Sequence, residues 1–410
     1  MRFWGDDAGF PPTRERRRAP DSFLATRRHM HSVTVIGAGP VGATFALLTA
    51  RQGIDVTLLE AREGPSRETR TLALSHGSRV ILESCGVWGG HLRATEIHSI
   101  HTSQRGGFGR MLLTREDAGV PALGYVLAYA DLQAALDAQL ASKDIPVLRG
   151  AVVSAFDDSE QQVKVKFTHA GSEVTQRADA VILADGGANL DKVPAFQIDE
   201  KDYQQQALLG HVTTDTAHAS RAFERFTSDG PAALLPLGGA HDYSMVWVAS
   251  PSRIAALTAL EEPALLAAFQ AHFGHRAGQF LSIANRRSFP LKLRTVSARV
   301  SGRIAVIGNA AQALHPVAGQ GFNLGLRDAA MLAQQLATDS GTATEILRAY
   351  EGARARDVDR SVGFTDFLAS AFASDHLLAR VPRGLGLAAM DMLPFARRAL
   401  ARRMMFGAAK

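Results

Sequence analysis

Two glycine-rich segments lie far apart in this chain, and their residue types are suited to binding a dinucleotide. The first is Gly37-x-Gly39-x-x-Gly42, which follows the β-branched run 33–36 and precedes a helical pattern over 43–52. In such a strand–turn–helix, the first glycine permits a tight turn and the second lets the backbone approach a pyrophosphate. The third allows close packing of the helix, whose N-terminal N–H groups then bind the pyrophosphate.

Glu60 ends the next predicted strand, which covers 54–60. An acidic residue at that position can accept hydrogen bonds from ribose hydroxyl groups. An acid rather than a basic residue also favours an adenosine without a 2′-phosphate. FAD and NAD both satisfy this pattern, so the first segment does not choose between them.

The second segment covers 308–328, after a buried strand pattern at 303–307 and before a predicted helix over 322–337. Its small residues would let the backbone lie against a flat ring. The helix N-terminus would offer N–H donors to a carbonyl or to a reduced, anionic ring. These properties favour a flavin, and the alternative is a tightly packed turn that binds no ligand.

The elements that would position these segments alternate between strand and helix, which predicts an α/β fold with a β-rich insertion. Beyond the first strand–helix–strand unit, the sequence predicts a helix over 71–85, a hairpin over 96–113, a helix over 131–141, strands over 152–174 and 180–184, a strand-rich region over 205–250, a helix over 261–273 and helices from 344 onward.

Composition excludes several classes of protein. The chain has 410 residues, of which 46% are hydrophobic and 21% charged, and it has no apolar run of roughly 18 residues that would predict a transmembrane helix. Its one cysteine, Cys85, excludes an internal disulfide and fits a reducing, cytoplasmic compartment. His272-x-x-His275 has no carboxylate at a useful spacing, so no metal site is predicted.

Positive charge is concentrated at the two ends of the chain. Residues 1–30 contribute +3 and residues 377–410 contribute +6 to a net charge of +5, which leaves −4 on the body. A nucleic-acid-binding domain usually has its basic patch on the body, so no nucleic-acid partner is predicted. Residues 1–30 lack periodicity and an apolar signal segment, which predicts a disordered extension or a start codon assigned too early.

Over 308–325 the sequence resembles the FAD-dependent aromatic hydroxylases, the group that includes 4-hydroxybenzoate hydroxylase. Its Gly-Asn-Ala-Ala-Gln, Leu-His-Pro and Ala-Gly-Gln-Gly-Phe-Asn-Leu-Gly strings are most similar to the ubiquinone-biosynthesis branch, and within it to the 2-polyprenyl-6-methoxyphenol hydroxylases. The resemblance extends over roughly residues 32–407 and includes Arg70-x-x-Ala73-Leu74, Leu234-Leu235-Pro236, Val246-Trp247, Phe289-Pro290-Leu291 and Tyr350-Glu351.

The resemblance implies a Rossmann-like FAD-binding domain with an inserted β-rich substrate domain and a helical C-terminal region. The FAD-binding domain would comprise 31–93, 129–192 and 291–340, and the substrate domain 94–128 and 193–290. Residues 341–410 would form the C-terminal helices, and 1–30 would lie outside the fold.

The resemblance also implies roles for individual residues. The residues expected to hold FAD are Gly37, Gly39, Gly42, Glu60, Arg62, Arg70, Asp185, Gly186, Asn309, Pro316, Gly319, Gly321 and Asn323. His315 is the candidate catalytic base because it lies inside the flavin segment, although a structural histidine is the alternative. The candidates for the substrate wall, with ordinary sheet core as the alternative, are Leu234, Pro236, Val246 and Trp247.

Three positions depart from the family pattern. Asn309 stands where most of the wider family has Asp, so it can still accept a hydrogen bond but lacks the charge. The Asp185-Gly186 motif continues in the family to Ser and Arg, whereas this chain has Asn189 and Lys192. Lysine cannot form the bidentate pair that arginine can.

The implied activity is a monooxygenation. FAD reduced by NADPH or NADH would react with molecular oxygen to a flavin C4a-hydroperoxide, which would hydroxylate a polyprenylated phenol in ubiquinone biosynthesis. Two alternatives stay open. One is a hydroxylase of small soluble aromatics, and the other is a non-catalytic flavin-binding subunit of a quinone-biosynthesis complex.

The C-terminal tail combines apolar and basic residues, namely Leu385, Leu387, Met390, Met392, Leu393 and Phe395 with Arg397, Arg398, Arg402 and Arg403. A basic amphipathic helix can lie on a membrane surface, where a polyprenylated substrate resides. The alternative is a helix packed on the FAD-binding domain or on a partner. The sequence therefore predicts a cytoplasmic protein whose C-terminal helices contact the membrane or other quinone-biosynthesis enzymes.

Overall fold

The strand that precedes the first glycine-rich segment is central in a six-stranded sheet. The computed structural model describes residues 30–66, 68–90, 92–107, 109–159, 161–313, 320–355, 386, 389 and 391–406. The strand order of the sheet is β18 (Val300–Ser301), β19 (Ile304–Val306), β12 (Ala180–Leu183), β1 (Ser32–Ile36), β2 (Asp55–Glu60) and β8 (Val147–Arg149). Every neighbouring pair is parallel except β18–β19. Because the chain order reverses at β1, ligands are expected at the carboxyl end of that strand.

Both faces of this sheet are covered. Helices α1 (Pro40–Ala50), α4 (Tyr129–Ser142) and α7 (Gln320–Thr338) lie on one face. An antiparallel sheet of β9 (Val152–Asp157), β10 (Val163–His169) and β11 (Ser172–Ala178) lies on the other. Val35 packs toward the helices and Ile36 toward β10, which explains why the short β1 is apolar throughout.

An eight-stranded sheet forms the β-rich insertion. Its order is β20 (Gln312–Ala313), β17 (Phe280–Val296), β13 (Ile198–Thr214), β16 (Asp242–Ala249), β15 (Ala232–Pro236), β14 (Arg221–Phe226), β5 (Ser99–Gln104) and β6 (Arg110–Thr114). Helices α5 (Pro251–Thr258) and α6 (Glu262–Phe273) cover one face over a cluster that includes Trp247 and Phe269. The two 17-residue strands β13 and β17 pair along most of their length and reach the first sheet.

Smaller elements connect the two large sheets. The third sheet has the order β3 (Thr71–Ser75), β7 (Gly124–Ala128) and β4 (Thr95–Ile97). Helices α2 (His76–Ser84) and α3 (Arg115–Ala118) follow β3 and β6, and 3₁₀ turns cover Leu190–Lys192 and Gly308–Ala310. Residues 343–355 are helical. The last described helix, α8 (Pro394–Phe406), packs on α2 so closely that a Cβ at Gly77 would lie 2.6 Å from the Met405 carbonyl oxygen.

The α/β class with a β-rich insertion is confirmed, and one predicted element is wrong. The predicted helix over 71–85 is a strand followed by the shorter helix α2. Leu72 and Leu74 alternate with less buried residues, which is the period of a strand. Ser75 then caps α2, since its Oγ accepts a hydrogen bond from the Ser78 N–H. Among the described helices, none is long and apolar enough to span a bilayer.

The described residues leave some predictions without a test. Residues 1–29 and 356–385 lie outside them, as do His315, Pro316 and Gly319. Leu385, Leu387 and Met390 of the tail are outside them as well. The predicted domain boundaries also stay a prediction.

Candidate active site

A crevice of about 550 Å³ opens at the carboxyl ends of β1, β2 and β12. Eight of the residues predicted to hold FAD line it: Gly37, Gly39, Glu60, Arg62, Arg70, Asp185, Gly186 and Asn309. Residues that were not among the predicted FAD ligands complete the lining, among them Tyr129 and Phe322. The two glycine-rich segments therefore meet at one crevice, where the reversal of strand order predicts a ligand.

Two of the three glycines in the first glycine turn leave no space for a side chain. Gly37 has φ +100°, and a Cβ there would lie 2.8 Å from the Asp185 Cα. A Cβ at Gly42 would lie 2.1 Å from the Gly37 carbonyl oxygen, so this glycine permits the close approach of α1. Gly39 is the N-cap of α1, and in the described part of the chain no side chain caps this helix. Its first N–H groups are therefore suited to binding an anionic group such as a pyrophosphate.

Glu60 is already saturated with hydrogen bonds. Its carboxylate accepts from the Ala38 N–H at 2.9 Å and from the Arg62 N–H at 3.0 Å. The Arg62 guanidinium adds bonds at 2.9 and 3.1 Å. Burial alone would raise the pKa of Glu60, but these hydrogen bonds outweigh it and lower the pKa. A ribose hydroxyl that donates to this ionised carboxylate must displace the exposed guanidinium of Arg62 or share the carboxylate with it.

Arg70 lies over an aromatic ring at the mouth of the crevice. Its Cζ is 4.9 Å from the centroid of the Tyr129 ring. Such a cation–π contact orients a guanidinium while leaving its N–H groups free to donate. The position of Arg70 suits contact with a phosphate.

Asn189 and Lys192, two of the residues that depart from the family pattern, are linked to Asp185. The Asp185 carboxylate accepts from the Gly187 N–H at 2.8 Å and from the Asn189 side-chain amide at 2.6 Å. The Asn189 Oδ1 in turn accepts from the Lys192 Nζ at 2.6 Å. The Lys192 ammonium group is therefore held at the crevice, and the Asn189 side-chain amide links it to Asp185.

Arg294 is a residue that the sequence analysis missed. It lies on β17 and donates from Nη2 to the Gly186 carbonyl at 2.6 Å. A Cβ at Gly187 would lie 1.9 Å from this nitrogen, so the glycine makes room for the guanidinium. No local pattern identifies this contact, because the two residues are 108 positions apart in the sequence.

A buried ion pair supports the start of the second segment. Asp328 on α7 accepts from the Gly308 N–H at 3.0 Å and from the Gln312 Nε2 at 2.7 Å. It also pairs with Arg354, whose Nε is 2.7 Å from Oδ1, and both side chains are fully buried. These buried contacts of Asp328 fix the turn that presents Asn309 to the crevice.

Asn323 lies away from the crevice. Its Oδ1 accepts from the Ser75 N–H at 2.8 Å and the Ser78 Oγ at 2.7 Å, while its Nδ2 donates to the Ala73 carbonyl at 3.0 Å. This side chain ties α7 to β3 and lines the neighbouring cavity. Gly321 lies in the first turn of α7.

An apolar cavity of about 130 Å³ lies between the eight-stranded sheet, β3 and α8. Most of its lining is aliphatic, including Ile97, Ile100, Leu123, Leu235, Met404 and Met405. Among the described lining residues, Glu224 is the only one with an ionisable side chain. The cavity adjoins the crevice across the first turn of α7, since Phe322 lines the crevice and Asn323 lines the cavity.

Three of the four predicted substrate-wall residues lie on the face of the sheet opposite the apolar cavity. Leu234 and Trp247 are buried in the cluster beneath α5 and α6, and Pro236 is buried on the same side as Leu234. Val246 alone lines the cavity, together with its neighbours Ala233, Leu235 and Val248. Successive residues of a strand point to opposite faces, so a prediction that names neighbouring residues of one strand includes both faces.

Comparison with known proteins agrees with this architecture. A family model described as "FAD binding domain" matches residues 30–365. An uncharacterized protein of Synechocystis is 30% identical over 92% of both chains. The 3-demethoxyubiquinol 3-hydroxylase of Escherichia coli is 29% identical over 88% of this chain and 94% of its own. The structure of p-nitrophenol 4-monooxygenase from Pseudomonas putida superposes with a TM-score of 0.75 at 18% identity, covering 93% of this chain and all of that one.

The chain belongs to the FAD binding domain family and has the fold of the FAD-dependent aromatic hydroxylases. It is a flavoprotein monooxygenase of this group, as the resemblance in the second glycine-rich segment predicts. Two relatives that align over most of the chain, from Rhodospirillum rubrum and Neisseria meningitidis, are named ubiquinone hydroxylases.

Proposed function

We propose that this protein hydroxylates a polyprenylated phenol in ubiquinone biosynthesis, with NADPH or NADH as reductant and molecular oxygen as the oxygen source. The observation that supports this most directly is the contact between the dinucleotide crevice and a largely aliphatic cavity at the first turn of α7. A phenol ring in that cavity would lie next to a ring bound at the crevice. The names of the relatives support the choice of pathway.

FAD would be held by the residues that line the crevice. The N-terminus of α1 at Gly39 would bind the pyrophosphate and Glu60 the adenosine ribose. Arg70 would contact a phosphate, and Asp185 and Asn309 would face the ribityl chain and the ring. The absence of space for a Cβ at Gly37 fits the tight turn that brings the first glycine-rich segment against Asp185. When bound, FAD supplies the redox chemistry that transfers one oxygen atom of O₂ to an electron-rich ring.

The cavity residues would orient the substrate and exclude water. Aliphatic side chains from two sheets and α8 surround the space, so a bound ring would lose contact with bulk solvent. A phenol becomes more electron-rich when it loses its proton, and its unperturbed pKa is about 10 by analogy with tyrosine. Glu224, which lines the cavity, is the candidate to accept the proton that the phenol O–H donates. His315 stays a second candidate for that role.

The prenyl chain requires a membrane as its source. We therefore propose a cytoplasmic protein that contacts the membrane peripherally and works beside other enzymes of the pathway. The proposed domains are those given by the sequence, with the crevice in the FAD-binding domain and the cavity between that domain and the inserted sheet.

The test combines a deletion strain with the purified protein. A strain that lacks the protein should accumulate one quinone precursor, identified by mass spectrometry as a polyprenylated phenol missing one hydroxyl group. Purified protein with FAD should then convert that precursor and consume NAD(P)H and oxygen. Unchanged quinone content in the deletion strain, or equal turnover of prenyl-free phenols, would contradict the proposed substrate.

A further inference from the structure

Five arginines lie on one face of the outer strands of the eight-stranded sheet or beside it. Arg221 and Arg225 alternate along β14, Arg110 lies on β6, and Arg105 and Arg276 flank them. The strand registers pair Arg221 with Ser99 and Arg225 with Ser103, which is itself opposite Arg110. This arginine face is opposite the apolar cavity, because Ala222 and Glu224 of the same strand line the cavity.

The arginine face is poorly neutralised. In the described part of the chain, none of these five guanidinium groups forms an ion pair with a carboxylate, whereas the neighbouring Arg397 pairs with Asp117 at 3.2 Å. Arg110, Arg221 and Arg276 line a surface pocket of about 630 Å³. Burial and the adjacent arginines Arg276 and Arg105 lower the pKa of Arg225. Like charges held this close together are expected to favour an anionic partner.

An apolar tip lies at the border of the arginine face. Met392, Leu393 and Phe395 are 79%, 42% and 70% exposed. They lie in the chain between Asp391 and Arg397, both of which line the arginine pocket. The Asp391 carboxylate accepts a hydrogen bond at 3.0 Å from the N–H of Leu112, an exposed apolar residue of β6. Large apolar side chains exposed together beside arginines are typical of a surface that enters a membrane interface.

We propose that the arginine face and the apolar tip dock the protein on a membrane that contains anionic phospholipids. The guanidinium groups would meet lipid phosphates, and Met392, Leu393 and Phe395 would enter the acyl boundary. The same helix, α8, begins at this tip and ends with Met404 and Met405 in the wall of the cavity, roughly 14 Å further along its axis. The proposal deepens the proposed function, because it places the cavity wall within one helix length of the bilayer that holds the substrate.

Vesicle flotation tests the docking surface. Full-length protein should float with vesicles of phosphatidylcholine and phosphatidylglycerol and stay in the soluble fraction with phosphatidylcholine alone. The double variant Arg110→Ala/Arg276→Ala should bind the anionic vesicles about 25-fold more weakly, since each arginine near such a surface contributes about fivefold. Phe395→Ser should weaken binding about tenfold through lost apolar burial.

Matched controls come from other surfaces. Arg287→Ala and Leu281→Ser replace an exposed arginine and an exposed leucine on β17, and both should bind vesicles like the unchanged protein. Equal losses in the controls and the test variants would overturn the proposal, as would flotation that does not depend on phosphatidylglycerol. So would a double variant that keeps vesicle binding and loses affinity for NADPH, because the arginines would then form a nucleotide site.

Turnover of a prenyl-free phenol in solution separates this proposal from the proposed function. The test variants should keep any such turnover while losing activity on a polyprenylated phenol supplied in anionic vesicles. Loss of turnover in both assays would contradict a docking role. A protein that floats as expected but hydroxylates neither phenol would contradict the proposed function alone.

Discussion

Arg354 and Asp328 form an ion pair that is fully buried behind the turn at Gly308. The carboxylate is shared between this guanidinium, the Gly308 N–H and the Gln312 amide. It therefore connects residues from helix 343–355, α7 and the start of the second glycine-rich segment. The ion pair holds these elements in place. Removing one partner would leave an uncompensated charge in the interior.

Asp328→Asn should lower the free energy of unfolding by about 3–5 kcal/mol, the usual cost of breaking a buried ion pair from one side. Chemical denaturation checks this value. Asp339→Asn, at an exposed acid just beyond α7, is the matched control and should change stability little. A small effect of Asp328→Asn would mean that the turn is held by packing alone.

Glu60→Gln should weaken FAD binding about 10- to 100-fold, because hydrogen bonds to a charged acceptor contribute about 1.5–3 kcal/mol. The variant also leaves the Arg62 guanidinium without its carboxylate partner. Titration of the apoprotein with FAD, followed by flavin fluorescence, measures the change. Glu63→Gln, at an exposed neighbouring acid, should bind FAD normally, and equal weakening there would rule out a specific role of Glu60.

Glu224→Gln should lower turnover about 100-fold near neutral pH, in the range expected for loss of a general base. Activity should recover as the pH approaches about 10, where the phenol ionises in solution. The pH profile of kcat distinguishes this role from a structural one, which would lower activity at every pH. Glu116→Gln, at a side chain that is 70% exposed, serves as control.

Leu234 and Leu235 are adjacent residues that test the two faces of β15. Leu234→Ala should destabilise the protein by about 2–5 kcal/mol, because its side chain is fully buried beneath α5 and α6. Leu235→Ala should change the KM for the phenol more than it changes stability, since Leu235 lines the cavity. Thermal unfolding and steady-state kinetics on both variants measure the contrast, and a reversed result would place the substrate elsewhere.

His272 should make the protein acid-sensitive. Burial among Trp247 and other apolar side chains lowers its pKa from 6.5 to about 4. The unfolded chain therefore binds a proton that the folded chain excludes, so stability is full above pH 6.5 and is lost as the pH falls toward 4. The expected loss is about 3 kcal/mol. His272→Phe should remove that part of the pH dependence, and His275→Phe, at an exposed site, should not.

Residues that line the crevice are easier to identify from the sequence than residues that line the cavity, for physical reasons. Gly37, Gly42 and Glu60 are fixed by local geometry, since a tight turn and a strand end impose residue types that can be recognised along the chain. The cavity depends on which of two adjacent residues faces inward, and Leu234 and Leu235 are equally apolar. Arg294 is harder still to identify from the sequence, because its contact with Gly186 joins residues that are distant in sequence.

The extended pair β13 and β17 has a consequence for how the chain can be divided. Residue Thr214 pairs with Phe280 at one end of this ribbon, and Ile198 pairs with Val296 at the other. The first end belongs to the core beneath α6, and near the second end Arg294 contacts Gly186 in the loop at the crevice. A cut that separates the cofactor half from the insertion would split this ribbon and expose unpaired edges, so neither fragment is expected to fold independently.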